Sequence, residues 1–487
     1  MLTLSAALLL SCLLSPTVFA APSMLPRDWG QPIPLRRVTL VAADAEAAKV
    51  LAEALTKSGA TVERLTPDAA LADNGLRWKP EVAARTVVLL GGIHTNRALL
   101  PLYANYLSFG DAAYPGEAGY VVRTVAAPFG PGTATIALEA STPAGEAAAV
   151  ARFVELASQA KDGAFPATLE ARLSENCQRS VNTLGPGALR YVLGGKPEDG
   201  QEGVKRLLAA SNPESGFAQY GDYGIERYMR EYGHLQDAPG IAPADVSRLD
   251  QLLLRTALES AGQWWRRKDG AMIGGRHQTM GTSCFTAAVH LLRRRGNPGD
   301  EAKTLLDQWW TECQAYWKNA CSTFHDDLEG YPSYHCPEPT LDWALIMGFD
   351  GYLREQLPLA VLRTYAATDN LGYYAGTGTY EECRPGDVYK RTPARWLLGA
   401  ADYFHPGRGS GWLRDNVPDW GAGAWALARA FAGARTFAGG TESQPPAQLL
   451  GVVPLPLGPY RYRQLAHDRD DARAKGQRYL AAPEERC

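Results

Sequence analysis

The spacing of apolar residues changes period once along the chain. From 37 to about 160, short apolar runs alternate with helical ones. Val38-Thr39-Leu40-Val41 reads as a strand, Ala45 to Lys57 as a helix stopped by Gly59, and Thr61 to Leu65 as the next strand. Thr86 to Leu90 is a buried-strand pattern ending in Gly91-Gly92. Gly119 to Thr124 and Thr135 to Glu139 form a hairpin around the Pro/Gly-rich stretch between them, and Thr142 to Ala157 is an Ala-rich helix. The expected unit is a small α/β sandwich over 35–160.

After residue 165 the pattern is helical. Val204–Ala210, Asp245–Arg267, Gly281–Arg295, Glu301–Phe324, Thr340–Met347, Gly351–Ala367, Ala394–Phe404 and Ala422–Phe437 carry it. In the second of these, Val246, Leu249, Leu253, Ala257 and Leu258 make one stripe at i, i+3 and i+4 steps. Helices in series, without a strict sequence repeat, predict a large (α/α) toroid over 165–440, an incomplete barrel of helical hairpins. Residues 441–487 read as a linker and a charged tail. The fold class expected is thus multidomain, α/β followed by all-α.

Residues 1–20 carry an apolar run and then Val18 and Ala20 at the small positions of a signal-peptidase site. Cleavage after Ala20 implies a secreted or periplasmic protein. No later apolar run reaches the roughly 20 residues that span a bilayer, so no membrane partner is expected. With 49 basic residues against 52 acidic ones, no general attraction to nucleic acid is expected either. Cys177, Cys284, Cys313, Cys321, Cys336, Cys383 and Cys487 remain after processing. Export permits up to three disulfides among them, and the spacing matches no zinc pattern.

Unusual residues collect in the connections. Arg276-His277-Gln278 follows Gly274-Gly275 and precedes the helix expected from Gly281, where a helix N-terminus favours an anion; a surface loop with one ion pair is the plain alternative. His325 to His335 holds His325, Asp326, Asp327, Glu329, Tyr331, Tyr334 and His335 among Gly and Pro. A capped turn or a metal site through His and Asp would also use such residues. Tyr373, Tyr374, Arg384, Tyr389, Lys390 and Arg391 interleave aromatic faces with cations, which suits a sugar ring bearing carboxylates. Trp264-Trp265 and Trp309-Trp310 fall within helical stripes and read as core.

The stretches VVLLGGIHTNRALLPLY and GEAGYVVRTV resemble the accessory α/β domain that precedes the catalytic domain of hexosaminidases and α-glucuronidases. The helical part, with RHQT and YPSYH, resembles the (α/α)-toroid lyases of alginate and glucuronan. That second likeness implies β-elimination on a uronic-acid polysaccharide without metal or organic cofactor. Arg276 and Gln278 would neutralise the carboxylate, His277 would be the base, and Tyr331 or Tyr334 the acid; His335 could instead be the base or a further neutraliser. Toroid lyases carry an Asn-His pair where this chain has Arg276-His277. Two other readings remain open: an inverting glycoside hydrolase using carboxyl groups such as Glu329, which need to stand roughly 6.5–9.5 Å apart, and a non-catalytic glycan-binding protein.

Overall fold

The computed structural model describes residues 22–26, 30, 32–112, 114–129, 134–160, 162–182, 184–214, 216–217, 231–236, 239–261, 276–322, 337–357, 400 and 403–404. The fold is mixed α/β, with one six-stranded sheet and a set of helices packed against it.

The chain begins β1 (Ile33–Pro34), β2 (Arg37–Val41), α1 (Glu46–Lys57), β3 (Thr61–Leu65), α2 (Pro67–Ala70), α3 (Pro80–Ala83), β4 (Thr86–Gly91) and α4 (Leu100–Ala104). It continues β5 (Tyr120–Ala126), β6 (Ala134–Ala140), α5 (Pro143–Ser158), β7 (Ala164–Phe165) and β8 (Leu169–Arg172). The sheet order is β3-β2-β4-β6-β5-β8, and the first four strands run parallel. β5 is antiparallel to both neighbours, so the expected hairpin with β6 is present, and β8 extends the sheet past residue 160. Helix α5 starts cleanly because Thr142 accepts from Gly145 N at 3.2 Å and Pro143 holds a first-turn position.

Side chains alternate across the sheet. Val38, Leu40, Val88, Leu90, Val122, Ile136 and Leu138 face α1 and α5, where Leu51, Leu55 and Phe153 close a core. On the opposite face, Val41, Val87, Leu89, Val125 and Ala137 meet Trp78, Leu99 and Leu102.

The remaining helices are α6 (Glu175–Asn182), α7 (Ala188–Gly194), α8 (Pro197–Ala209), α9 (Pro243–Ser260), α10 (Arg276–Arg295), α11 (Asp300–Ser322) and α12 (Pro337–Met347), followed by a π-helical turn at Tyr352–Gln356. α6 and α7 carry no clear period in the sequence. On α9, Val246, Leu249, Leu253 and Ala257 are buried as the stripe required, but Leu258 is exposed. One helical position beyond Ala257 turns it away from the core.

The helices share one core with the sheet. Phe109, Tyr114 and Val121 belong to the same buried cluster as Leu253, Phe285, Trp309 and Trp317. α10 and α11 are antiparallel neighbours: Arg293 Nε donates to Asp307 Oδ1 at 2.8 Å, and Trp317 Nε1 to Thr286 Oγ1 at 2.9 Å. The short connector between them is held by residues near the start of the described chain, through Leu25 N to Asn297 O at 2.6 Å and Gly299 N to Ser23 O at 3.0 Å. α12 ends at Gly348, whose φ of +76° is the left-handed cap that glycine adopts without strain. Asn74 Nδ2 donates to Gly348 O at 3.1 Å and the Arg77 guanidinium donates to Met347 O, so a loop of the α/β unit caps this helix. Among the described residues, no helix is long and apolar enough to cross a membrane.

Candidate functional site

The expected start of α10 needs correction. The helix begins at Arg276, five residues before Gly281, so Arg276-His277-Gln278 form its first turn rather than a loop before it. Thr279 and Met280 carry no turn-forming preference strong enough to break the helix, so it runs back to the Gly274-Gly275 pair. The side chains of these three residues lie outside the described set. So do Glu329, Tyr331, Tyr334 and His335, and Tyr373, Tyr374, Arg384, Tyr389, Lys390 and Arg391.

The helical hairpin nonetheless fixes where these segments join the fold. In the register of Arg293 with Asp307 and Thr286 with Trp317, the last turn of α11 lies beside the first turn of α10. α12 starts at that same end, with Trp343 Nε1 on Ser283 Oγ at 3.0 Å and the Cys321 thiol near Thr340 O. The chain therefore leaves Ser322 and re-enters at Pro337 close to the Arg276-His277-Gln278 turn.

The opposite end of the hairpin opens onto a cleft of about 680 Å³ between the helices and the α/β unit, within the size range of small-molecule sites. Its walls come from distant stretches: Arg77 and Trp78, Asn105, Phe129, the segment from His290 to Pro298, Lys303, Asp307 and Trp310. Arg77, Arg293, Arg294 and Lys303 face it against one lining carboxylate, Asp307. In a chain of net charge −3, this is a local reversal of sign.

Those cations are not equivalent. Arg293 and Lys303 both bond Asp307, at 2.8 and 2.7 Å, and together hold its carboxyl below the usual range, Lys303 contributing most. Arg294 is buried and donates to Gln236 Oε1. Arg77 differs: its bond is to the backbone oxygen of Met347, and none of the ion pairs among the described residues includes it. Partial burial lowers its pKa, while the residue keeps enough exposed surface to be reached from the cleft.

The aromatic side chains divide likewise. Trp309 is core, as expected of a Trp doublet in a helix, whereas Trp310 lines the cleft. His290 lies nearly parallel to Trp310 at 5.4 Å, and the Arg293 guanidinium sits 5.4 Å from the same ring. Across from them Phe129 packs edge-on against Trp78 at 5.0 Å, yet remains 38% exposed. Trp78 itself is fixed by Nε1 donating to Ala98 O at 2.7 Å.

His290 Nε2 is 2.8 Å from Asn105 Oδ1, an Asn-His contact made across the junction of sheet and helices. Burial, then the nearby Arg294 and Arg293, push the His290 pKa down to about 3. The ring is neutral near pH 7, able to share a hydrogen bond and far too weakly basic to take a proton from carbon. With one lining carboxylate, itself ion-paired, the cleft holds no acid/base pair of the inverting-hydrolase kind among its described residues. No group of three metal-ligating side chains occurs among the described residues. What the cleft can do is bind: it offers a paired-off cation wall, a guanidinium with no carboxylate partner among the described residues and an exposed aromatic face.

None of Arg77, Phe129, His290 or Arg293 stood out in the sequence. The one available signal was His290-Leu291-Leu292-Arg293-Arg294, where i, i+3 and i+4 spacing puts the imidazole and both guanidinium groups on one helix face. Comparison of the chain with protein-family models, curated proteins and solved structures gives no match.

Proposed function

We propose that this chain acts on an acidic polysaccharide as a polysaccharide lyase, cleaving a uronic-acid polymer by β-elimination on a helical scaffold of the (α/α)-toroid kind, with α9 to α12 among its helices. The observation that carries the substrate class is the cation-rich, aromatic cleft in a chain of net negative charge. A guanidinium matches a carboxylate in paired hydrogen bonds, and an aromatic face matches the apolar face of a sugar ring.

The chemistry is assigned to the other end of α10. The proton on the carbon beside a uronate carboxylate is removed only once that carboxylate is neutralised and the enolate-like charge held. Arg276 and Gln278 are the neutralisers in this reading, His277 the base, and Tyr334 or Tyr331 the acid that protonates the leaving oxygen. His335 is an alternative base or a further neutraliser. The low basicity of His290 supports placing the base elsewhere. No metal or cofactor is required by the scheme.

The test is direct. The protein is incubated with alginate, polyglucuronate and a glycosaminoglycan, and the ultraviolet absorbance of the unsaturated product is followed. A rise identifies the lyase. New reducing ends without that absorbance would overturn it in favour of a hydrolase using Glu329. Binding without either product would leave a glycan-binding protein.

A further inference from the structure

We propose that the cleft around Arg77 and Phe129 is an anchoring site for a uronate-bearing stretch of the polymer, separate from the place where the bond breaks. This rests on the lyase reading for the place of cleavage, and on the cleft alone for the binding.

The separation follows from α10. His277 and His290 are thirteen residues apart on one continuous helix, which at 1.5 Å per residue is about 20 Å. The cleft is built at the end of the helix that carries His290, and the first turn of α10 is at the other. A single sugar cannot touch both. A chain of several sugars can.

The ligand class follows from what the cleft leaves unsatisfied. Asp307 already consumes Arg293 and Lys303. Arg77 has its backbone partner and no carboxylate among the described residues, and it faces the cleft beside Trp78. A carboxylate on a ligand reaches this accessible guanidinium and pairs with it bidentately. Phe129 is one of few large apolar side chains exposed among the described residues, and it lines this cleft. A sugar ring stacked there covers it. Neutral chains satisfy Phe129 but not Arg77. Small inorganic anions satisfy Arg77 but not Phe129. An acidic saccharide satisfies both.

An anchor remote from the scissile bond holds long chains and gives nothing to short ones, so KM should fall as the substrate lengthens. The experiment uses the full chain with polyglucuronate and its size-fractionated oligomers. Calorimetry measures binding, and turnover is read from the unsaturated product. Phe129→Ala and Arg77→Gln are compared with wild type, with thermal melts alongside because Arg77 also caps α12. Each variant should weaken polymer binding by roughly tenfold or more, and KM should then no longer depend on chain length. Phe129 is exposed and makes no described hydrogen bond, so its variant decides the matter should Arg77→Gln unfold. Polymer binding that Phe129→Ala leaves at the wild-type level overturns the anchor. So does equal affinity for a neutral glucan, and so does a variant whose KM rises equally for the shortest cleaved oligomer and the polymer. Loss of binding in the variants while wild type yields no unsaturated product overturns the lyase reading and leaves the anchor standing.

Discussion

Arg123 Nε donates to Glu139 Oε1 at 2.7 Å between strands β5 and β6, and both side chains are nearly sealed from solvent. The pair joins three parts of the molecule. Arg123 also donates to Val192 O on α7 at 2.8 Å, and Glu139 Oε2 accepts from Phe109 N at 3.0 Å. It lies where the two clusters on this face of the sheet meet, one under the 67–107 segment and one under the helices.

Removing one partner leaves a buried charge unpaired, which costs about 3–5 kcal/mol. Glu139→Gln should therefore lower the free energy of unfolding by about that amount. Combined with Arg123→Met, the loss should be well short of the sum of the two single losses, because the second change removes the orphaned charge. Urea titrations of the four proteins measure this. Additive losses would show that the two side chains act independently.

The two buried thiols on α11 should be inert in the native protein. Burial pushes Cys313 and Cys321 each up to about 12, and both are unbridged. At pH 8 the thiolate, the reactive form, is then about one part in ten thousand. A maleimide reagent should label neither position until denaturant is added, as peptide mass spectrometry would show. Labelling of either in native protein at the rate of a free thiol would contradict their burial. Any disulfides expected from export would involve other cysteines.

The strands and most helices were legible because each buries one face, and a face leaves a period in the sequence. β2, β3, β4 and the β5–β6 hairpin follow the alternation, and α9 to α11 follow the 3.6-residue stripe. The misses have physical causes. β8 is an edge strand only partly buried along its length, so it shows no clean alternation. α6 and α7 are short: α6 buries only Cys177 and Val181, and α7, at two turns, is too short for its four buried residues to show a period. Leu258 is apolar but points outward, and apolar composition alone does not say which way. The cleft was illegible for a different reason. Arg77, Asn105, Phe129 and His290 are brought together by the junction of sheet and helices, and no local spacing encodes that junction. The proposed catalytic residues were legible only as clusters of chemistry, since their segments are connections.

Acid should weaken the fold through His290. Its folded-state pKa, near 3, lies below the unfolded value of about 6.5. As pH falls, the unfolded chain takes up the proton first, so stability present above about pH 6.5 is lost progressively toward pH 3. The slope is at most about 1.4 kcal/mol per pH unit, one proton's worth. Asp307 adds to the loss at lower pH. Its pKa is depressed, chiefly by Lys303, so its contribution holds above the unfolded carboxylate value and disappears as pH drops through the folded one. His290→Gln removes the titrating ring while keeping a group able to hydrogen-bond Asn105. Its urea midpoint should change less between about pH 6.5 and pH 4 than that of wild type. Equal pH dependence in the two proteins would mean the ring is protonated in the native state.

The decisive prediction concerns which histidine of α10 would serve the proposed elimination. A base for uronate elimination must sit near the reacting carbon with a pKa close to the working pH. His290 fails the second condition, since a pKa near 3 makes its ring far too weakly basic. His277 is in the first helical turn, where the last turn of α11 and the first of α12 converge, and where the chain departs toward Glu329, Tyr331, Tyr334 and His335. His277→Ala and Tyr334→Phe should each lower kcat by roughly 10²–10⁴-fold, the usual contribution of a positioned acid or base. Their combination should cost little more than either alone, since both serve one elimination step. Binding of polyglucuronate to His277→Ala should persist, because the cleft near His290 is about 20 Å away. Glu329→Gln discriminates the rival chemistry: a carboxylate that merely orients a neighbour gives a mild loss, whereas a hydrolase acid or base gives a dead enzyme. Should Tyr331→Phe and Tyr334→Phe both keep wild-type rates while Glu329→Gln abolishes turnover, the elimination mechanism is wrong and the paired-carboxylate hydrolysis takes its place.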